Sequence, residues 1–314
     1  MPLHLTLALG DNELTRSLAD GSVRPEGVDL TVLCLPAPER HWRMGRHMEF
    51  DAAEFSLAAY LVAHSQGSPL QALPIFPLRR FRHGFVFVRA EAGISVPADL
   101  NGRRVGLRVL GNTASLWARG ILAEHYGVDL RSIQWFTQDA ESHELGGPPA
   151  LSVQPLTAAP NVDAALVEGA IDAAITPTIL PSFVRGSLRV RRLFPNYRDD
   201  EIAYYRSTGM FPLMHTVVVQ RDLLSEHPWL ASSLVAAFEA AKGAAYRRLE
   251  NPRILPYAWF TQALAEQRAL MGPDPWPYTL DANRATIETL IRYAHEQGLI
   301  PQPPRPDELF VPVA

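Results

Sequence analysis

A single cysteine, Cys34, stands among 314 residues. One thiol excludes an internal disulfide and any cysteine-based zinc cluster. In the strand-like run "DLTVLCL" it is expected to be buried and inert. Lysine is equally scarce: Lys242 is the only one, so nearly all of the 29 basic residues are arginines. Cationic contacts in any site then come from guanidinium groups, which can hold a carboxylate through two hydrogen bonds. No apolar run approaches the roughly 18–20 residues that span a bilayer. The opening "MPLHLTLALGDNELTR" lacks a basic start, a full-length apolar core and a small-residue cleavage site, which makes the cytoplasm the expected compartment. A basic excess is missing too. Net charge is −4, which leaves no broad cationic surface for nucleic acid or an anionic membrane. GxGxxG, a Walker loop, HExxH and GxSxG are all absent, which disfavours nucleotide use, zinc proteolysis and the common serine esterase arrangement.

What is present is an α/β alternation. "LHLTLAL" and "VDLTVLCL" read as strands around a short helix in "DNELTRSLADG", which Asp11 or Asn12 is placed to cap. "PAPERHWRMGRH" suits a helix with an early proline, and "FDAAEFSL" a short strand running into the helix "SLAAYLVAHSQG". "LQALPIF" and "HGFVFVR" are strand-like again. A second unit begins near residue 90, with a strand in "NGRRVGL" and a strong helix in "GNTASLWARGILAEHYGVD". "SIQWFT", the end of "NVDAALVEGAIDAAIT" and "SLRVRRLF" add strands, and "MHTVVVQ" returns to strand character. The last third is helical, with a proline-rich end expected to be irregular. "LGGPPALSVQPLTAAP" reads as a surface loop or lid. The expected fold is α/β and two-lobed, with mixed, mainly parallel sheets and an inter-lobe cleft. Residues 1–89 plus 206–314 form lobe one and residues 90–205 lobe two.

Several of these stretches carry a resemblance. "DLNGRRVGL", the Gly-Asn-Thr-led helix and "ALVEGAIDAAI" are similar to the second lobe of type-II periplasmic-binding-protein-like folds. "LTLALGDNELTRSLADGSVRPEGVDL", "FDAAEFSLAAYL", "PIFPLRRFRHGFVFV" and "GMFPLMHTVVVQRDLL" resemble the 4,5-dihydroxyphthalate decarboxylase family, over residues 3 to about 245. "FRHG" and "GMFPLMHT" are the most distinctive parts. The resemblance implies a carboxy-lyase that converts a catechol dicarboxylate to 3,4-dihydroxybenzoate, without an organic cofactor. The chain departs from the family pattern at Gly84, where a small polar residue is usual, and in a longer loop at 146–160.

Such a reaction needs an acid near the ring carbon, an acceptor near the phenols and cations for the carboxylates. Arg82 and His83 are the first candidates, to clamp a carboxylate and to hydrogen-bond substrate or deliver a proton; the plain alternative is a solvated turn, which is preferred for Arg79 and Arg80. His215 is a candidate proton donor at a strand start facing the cleft. Asp51 and Glu54 could accept a phenol proton, or serve as a cap or ion-pair partner. Were Asp51, His83 and His215 to converge, a divalent metal could be held, but their separation assigns none. Asn112, Thr113 and Ser115 open a helix whose amides suit a carboxylate, and equally serve as its N-cap. Asp11, Asn12 and Thr176 are further candidates for lining the cleft. His41, His47, His64, His125 and His143 show no ligand or catalytic pattern. The expected partner is a small aromatic carboxylate, with no nucleic acid and no membrane, and a homo-oligomer stays open. Two other functions remain: a non-catalytic carboxylate-binding receptor or sensor, and a different lyase on the same fold.

Overall fold

The computed structural model describes residues 1–141, 145–147 and 150–313; His143 and part of the 146–160 loop lie outside them. Eleven strands among the described residues form two sheets. The first contains β1 (Leu3–Leu9), β2 (Val28–Cys34), β3 (Ala52–Ser56), β4 (Leu70–Leu73) and β11 (His215–Gln220), in the order β2-β1-β3-β11-β4. β1 pairs in parallel with both neighbours, and β11 runs antiparallel to β3 and β4. The second sheet contains β5 (Val86–Arg89), β6 (Arg104–Leu107), β7 (Gln134–Thr137), β8 (Val153–Pro155), β9 (Ala173–Ile175) and β10 (Val190–Arg192), in the order β10-β5-β9-β6-β7-β8. β5 thus hydrogen-bonds in the second sheet although it precedes residue 90.

Burial explains these strands. β3 is buried at every position, as expected of a central strand covered on both faces. β2 lies at the edge, and its last residues face outward. Cys34 is therefore exposed, contrary to the expectation of a buried thiol.

The helices are α1 (Arg16–Ala19), α2 (Ala37–His47), α3 (Leu57–Ser65), α4 (Thr113–Tyr126), α5 (Val162–Glu168), α6 (Pro181–Val184), α7 (Tyr197–Thr208), α8 (Arg221–Glu226), α9 (Leu230–Leu249), α10 (Phe260–Met271), α11 (Leu280–Glu296) and α12 (Pro306–Leu309). The residue that precedes α1 is Thr15, so neither Asp11 nor Asn12 caps it; Asn12 instead accepts from the Leu14 amide in a local turn. α7 has no strong pattern in the sequence because Tyr204 is its one buried residue. The proline-rich end is more ordered than expected. The Tyr60 hydroxyl donates to the Leu309 carbonyl at 2.6 Å, and Phe310 bridges to Ala72. Within the 146–160 loop, β8 extends the second sheet in parallel with β7.

The chain crosses between sheets twice, and the two crossings pair with each other. Arg79 bridges Leu213 antiparallel, the Arg80 amide donates to Pro212, and the Met214 amide to Leu78. This hinge ribbon thus pairs residues 78–80, which immediately precede "FRHG", with residues 212–214 inside "GMFPLMHT".

α4 joins the lobes by packing. Leu116, Trp117 and Ile121 enter the core of the first lobe, while Ala118 and Leu122 enter that of the second. A helix apolar on both sides belongs between two layers. The Trp117 indole donates to Leu213 on the hinge at 2.8 Å. Gly120 lets α11 approach: a Cβ there would lie 2.1 Å from the Tyr293 ring. Gly120→Ala is expected to destabilise the protein by about 1–3 kcal/mol, the usual cost of forcing an extra carbon into a packed core. Urea unfolding of the variant checks this, and an unchanged midpoint would refute the close packing.

Candidate active site

At the C-terminal edge of β1 and β3 the sequence has placed a glutamate where a core residue belongs. Glu54 is 2% exposed. Strand alternation turns it away from Ala53 and Phe55, and it meets three partners. The Gly10 amide donates to Oε2 at 2.8 Å, Arg40 lies 3.2 Å from Oε1, and His215 Nδ1 is 2.5 Å from Oε1. Arg40 comes from the first turns of α2 and is 1% exposed. It also donates to the carbonyls of Glu54 at 2.8 Å and Leu35 at 2.6 Å. His215 opens β11, in register with Ser56, which puts its ring over the same strand.

Burial opposes ionisation of Glu54, but the His215 hydrogen bond and charge, Arg40 and the Gly10 amide prevail and hold its carboxyl at about 2. Glu54 is an anion at neutral pH. Nδ1 of His215 must then donate to it, and Nε2 is left to exchange a proton with whatever lies in front. Gly10 permits this approach; a Cβ there would stand 3.1 Å from Glu54 Oε2 and 3.3 Å from Arg40.

In front lies a cavity of about 830 Å³. Its wall is built from the loop at 10–14, residues 35–37 with Arg40, hinge residues 77–80, and an apolar side from α10 and its flanks. His215, Glu54, Asp11 and Asn12 all line it. Its size is typical of small-molecule sites. No residue of 90–205 borders it among the described residues.

The arginines of the "RRFR" run are distributed differently from expectation. Arg79, expected to face water, is buried on the cavity wall and donates to Pro277 at 2.8 Å and Asn283 at 2.5 Å. Arg80 is exposed on the same wall, over the Phe85 ring at 5.5 Å, and has no carboxylate partner among the described residues. Arg82 is 2% exposed on the lobe-two side of the hinge, stacked on Phe85 at 4.2 Å and donating to the Thr176 carbonyl at 2.5 Å. Burial pushes its pKa down to about 9. His83 follows it into a box of Tyr126, Phe194 and Tyr204 rings, with both nitrogens buried and unpartnered. Burial, reinforced by His125, lowers it to about 4, so it is neutral at pH 7. Gly84 is held against Tyr197, which a Cβ would meet at 2.8 Å.

The remaining candidates are scattered. Asp51 sits at the opposite end of β3, where it accepts from the Thr6 amide and hydroxyl, both at 2.7 Å, and ties β3 to β1. Asn112 caps α4 by accepting from the Ser115 amide at 2.7 Å. Thr113 is buried between helix starts: its hydroxyl meets Ser56 at 2.9 Å and accepts from the Ala58 amide at 3.0 Å. Ser115 Oγ is buried and unpartnered. The Thr176 hydroxyl donates to Thr178 at 2.6 Å. Asp51, His83 and His215 do not converge. Arg40, which lines the cavity and pairs with Glu54, was not among the sequence candidates. The one available signal was Arg40 and Met44 on one face of a polar helix, at the spacing of a buried pair.

A 4,5-dihydroxyphthalate decarboxylase from Comamonas testosteroni is 35% identical over 323 aligned positions, covering 99% of this chain and 97% of that protein. The chain belongs to the 4,5-dihydroxyphthalate decarboxylase family. A second member, from Pseudomonas putida, is 32% identical over 212 positions, covering 65% of this chain and 82% of that protein. No protein-family model matches the chain. Among solved structures, the periplasmic aliphatic sulphonate-binding protein SsuA from Escherichia coli superposes with a TM-score of 0.59 at 14% identity, covering 99% of this chain and 98% of that one. The desulfurization enzyme DSZB gives a TM-score of 0.52 at 17% identity, covering 99% and 96%. These likenesses establish the fold: the family member has the two-lobed architecture of periplasmic binding proteins. No helix among its described residues is long and apolar enough to cross a membrane.

The Glu54 carboxylate generates a pH prediction. Its pKa is depressed in the fold, so its stabilisation is present above its ordinary value of 4.5 and is lost as pH falls towards 2. Glu54→Gln also leaves Arg40 buried without its counter-charge. At pH 7 the variant is expected to be less stable by about 3–5 kcal/mol. The difference from wild type should shrink between pH 4.5 and 2; denaturant unfolding at a series of pH values measures it, and a constant difference would contradict the assignment.

Proposed function

We propose that the protein is a carboxy-lyase that removes one carboxylate from 4,5-dihydroxyphthalate or a close relative, by acid–base catalysis in the cavity before His215. The observation that carries this reading is the ionised, buried Glu54 holding His215 at Nδ1 on the wall of an arginine-bearing cavity. Family membership supports the substrate class.

In this reading Nε2 of a protonated His215 gives its proton to the ring carbon that bears a carboxylate. A hydroxyl para to that carbon supplies electron density as the proton arrives. The bond from ring carbon to carboxylate carbon then breaks, its electron pair restores the aromatic ring, and carbon dioxide leaves. His215 ends neutral and regains a proton from solvent. Glu54 stabilises the imidazolium and fixes its orientation. Arg80 takes the clamp role expected of Arg82, because Arg82 spends its guanidinium on Phe85 and Thr176 inside the hinge. Asp11, exposed on the cavity wall, is the acceptor offered to a phenol.

Purified protein should release carbon dioxide from 4,5-dihydroxyphthalate and form 3,4-dihydroxybenzoate. His215→Asn should lower kcat by about 10²–10⁴-fold, the usual contribution of a positioned acid or base. Arg80→Gln should mainly raise KM. Binding without turnover would replace this reading with that of a carboxylate receptor. Full activity in His215→Asn would remove the proton donor, and loss of turnover with chelator would overturn catalysis by acid–base groups alone.

A further inference from the structure

The Glu54 hydrogen bond fixes one nitrogen of His215 but leaves the ring able to swivel about that bond. The second restraint comes from the next residue after Arg40. His41 stands edge-to-face with His215, ring centroids 4.8 Å apart and planes at 86°. It is itself packed on Phe55, at 5.4 Å and 68°. Its Nε2 is buried and has no hydrogen-bond partner, so this nitrogen makes no bond to His215 or to Glu54. The contact is one of ring against ring.

We propose that His41 is a positioning residue for His215: a neutral ring that holds the imidazole plane so that Nε2 faces the cavity. This rests on the carboxy-lyase reading. The surroundings keep positive charge off the His41 ring. Burial, then His215 and then Arg40 oppose a charge on His41, and Glu54 alone favours it. One helix thus supplies both the counter-ion of the carboxylate, Arg40, and the wall behind the proton donor, His41. Proton transfer to carbon is sensitive to placement, since an error of about 1 Å can cost about 10²-fold in rate.

The test compares His41→Phe with His41→Ala. Phenylalanine keeps the ring and removes the unpartnered nitrogen, so His41→Phe should fold at least as well as wild type and keep kcat within about threefold. His41→Ala should lower kcat by about tenfold or more, with a smaller change in KM. A second readout needs no turnover. The proton NMR signal of the His215 Nδ1–H should persist in His41→Phe and broaden in His41→Ala as the ring gains freedom. Equal loss of kcat in both variants would mean that a His41 nitrogen moves protons, which overturns the proposal. Unchanged kcat and an unchanged signal in both would also overturn it. If wild type shows no decarboxylation while the signal still separates the two variants, the functional reading has failed and the positioning role stands.

Discussion

A carboxylate buried in the middle of a β-strand is the constraint that organises this molecule. Glu54 costs several kcal/mol to desolvate as an anion unless its oxygens are matched. The fold matches them from three separate stretches of chain: the first loop at Gly10, the second helix at Arg40 and the returning strand at His215. Each partner restricts its own element. Gly10 has no side chain because Glu54 and Arg40 fill that space. Arg40 binds two carbonyls as well as the carboxylate, which fixes the start of α2. His215 is held on β11 in register with β3. The interaction that removes the burial penalty is also the one that aims an imidazole at a cavity.

The hinge is a second device with two uses. Its paired segments connect the lobes and also carry the arginines that differ in fate within one run of sequence. Arg79 and Arg80 lie in the paired ribbon and reach the cavity wall, while the chain leaves extended conformation at Arg82, before the turn His83–Phe85, and Arg82 packs on Phe85 and the Thr176 carbonyl. α4, wedged between both cores, and the Thr113 contact with Ser56 and Ala58 join the lobes behind this ribbon. The cavity consequently belongs to the first lobe and the C-terminal helices, and it does not open between helix starts of opposite lobes.

Much of this was legible from residues alone. The strands around β1, β2, β3 and β11 follow from short apolar runs bounded by turn residues, because a sheet covered by helices selects such runs. α4 was marked by its apolar spacing and by Asn112, whose cap requires only a local side chain. Glu54 and His215 were singled out, and both line the cavity. α7 was not legible, since a helix with one buried residue leaves almost no periodic trace. Cys34 misled because an edge strand has the same local sequence as a covered one. Arg40 and His41 lay hidden in "PERHW", where a polar helix start offers no sign that two of its residues are enclosed.

By itself, then, the sequence determined a two-lobed α/β fold and the family to which the chain belongs, and it marked Glu54 and His215 as separate candidates, because these depend on local pattern or on strings of residues read in order. The tertiary structure alone decided which arginines meet the cavity, that Asp51 ties strands at the far end of the sheet, that His83 is sealed among aromatic rings, that Arg40 meets Glu54 and that the His41 ring stands against His215. Those outcomes depend on distances between segments far apart in the chain, and burial and charge pairing act through space, where sequence spacing carries no information.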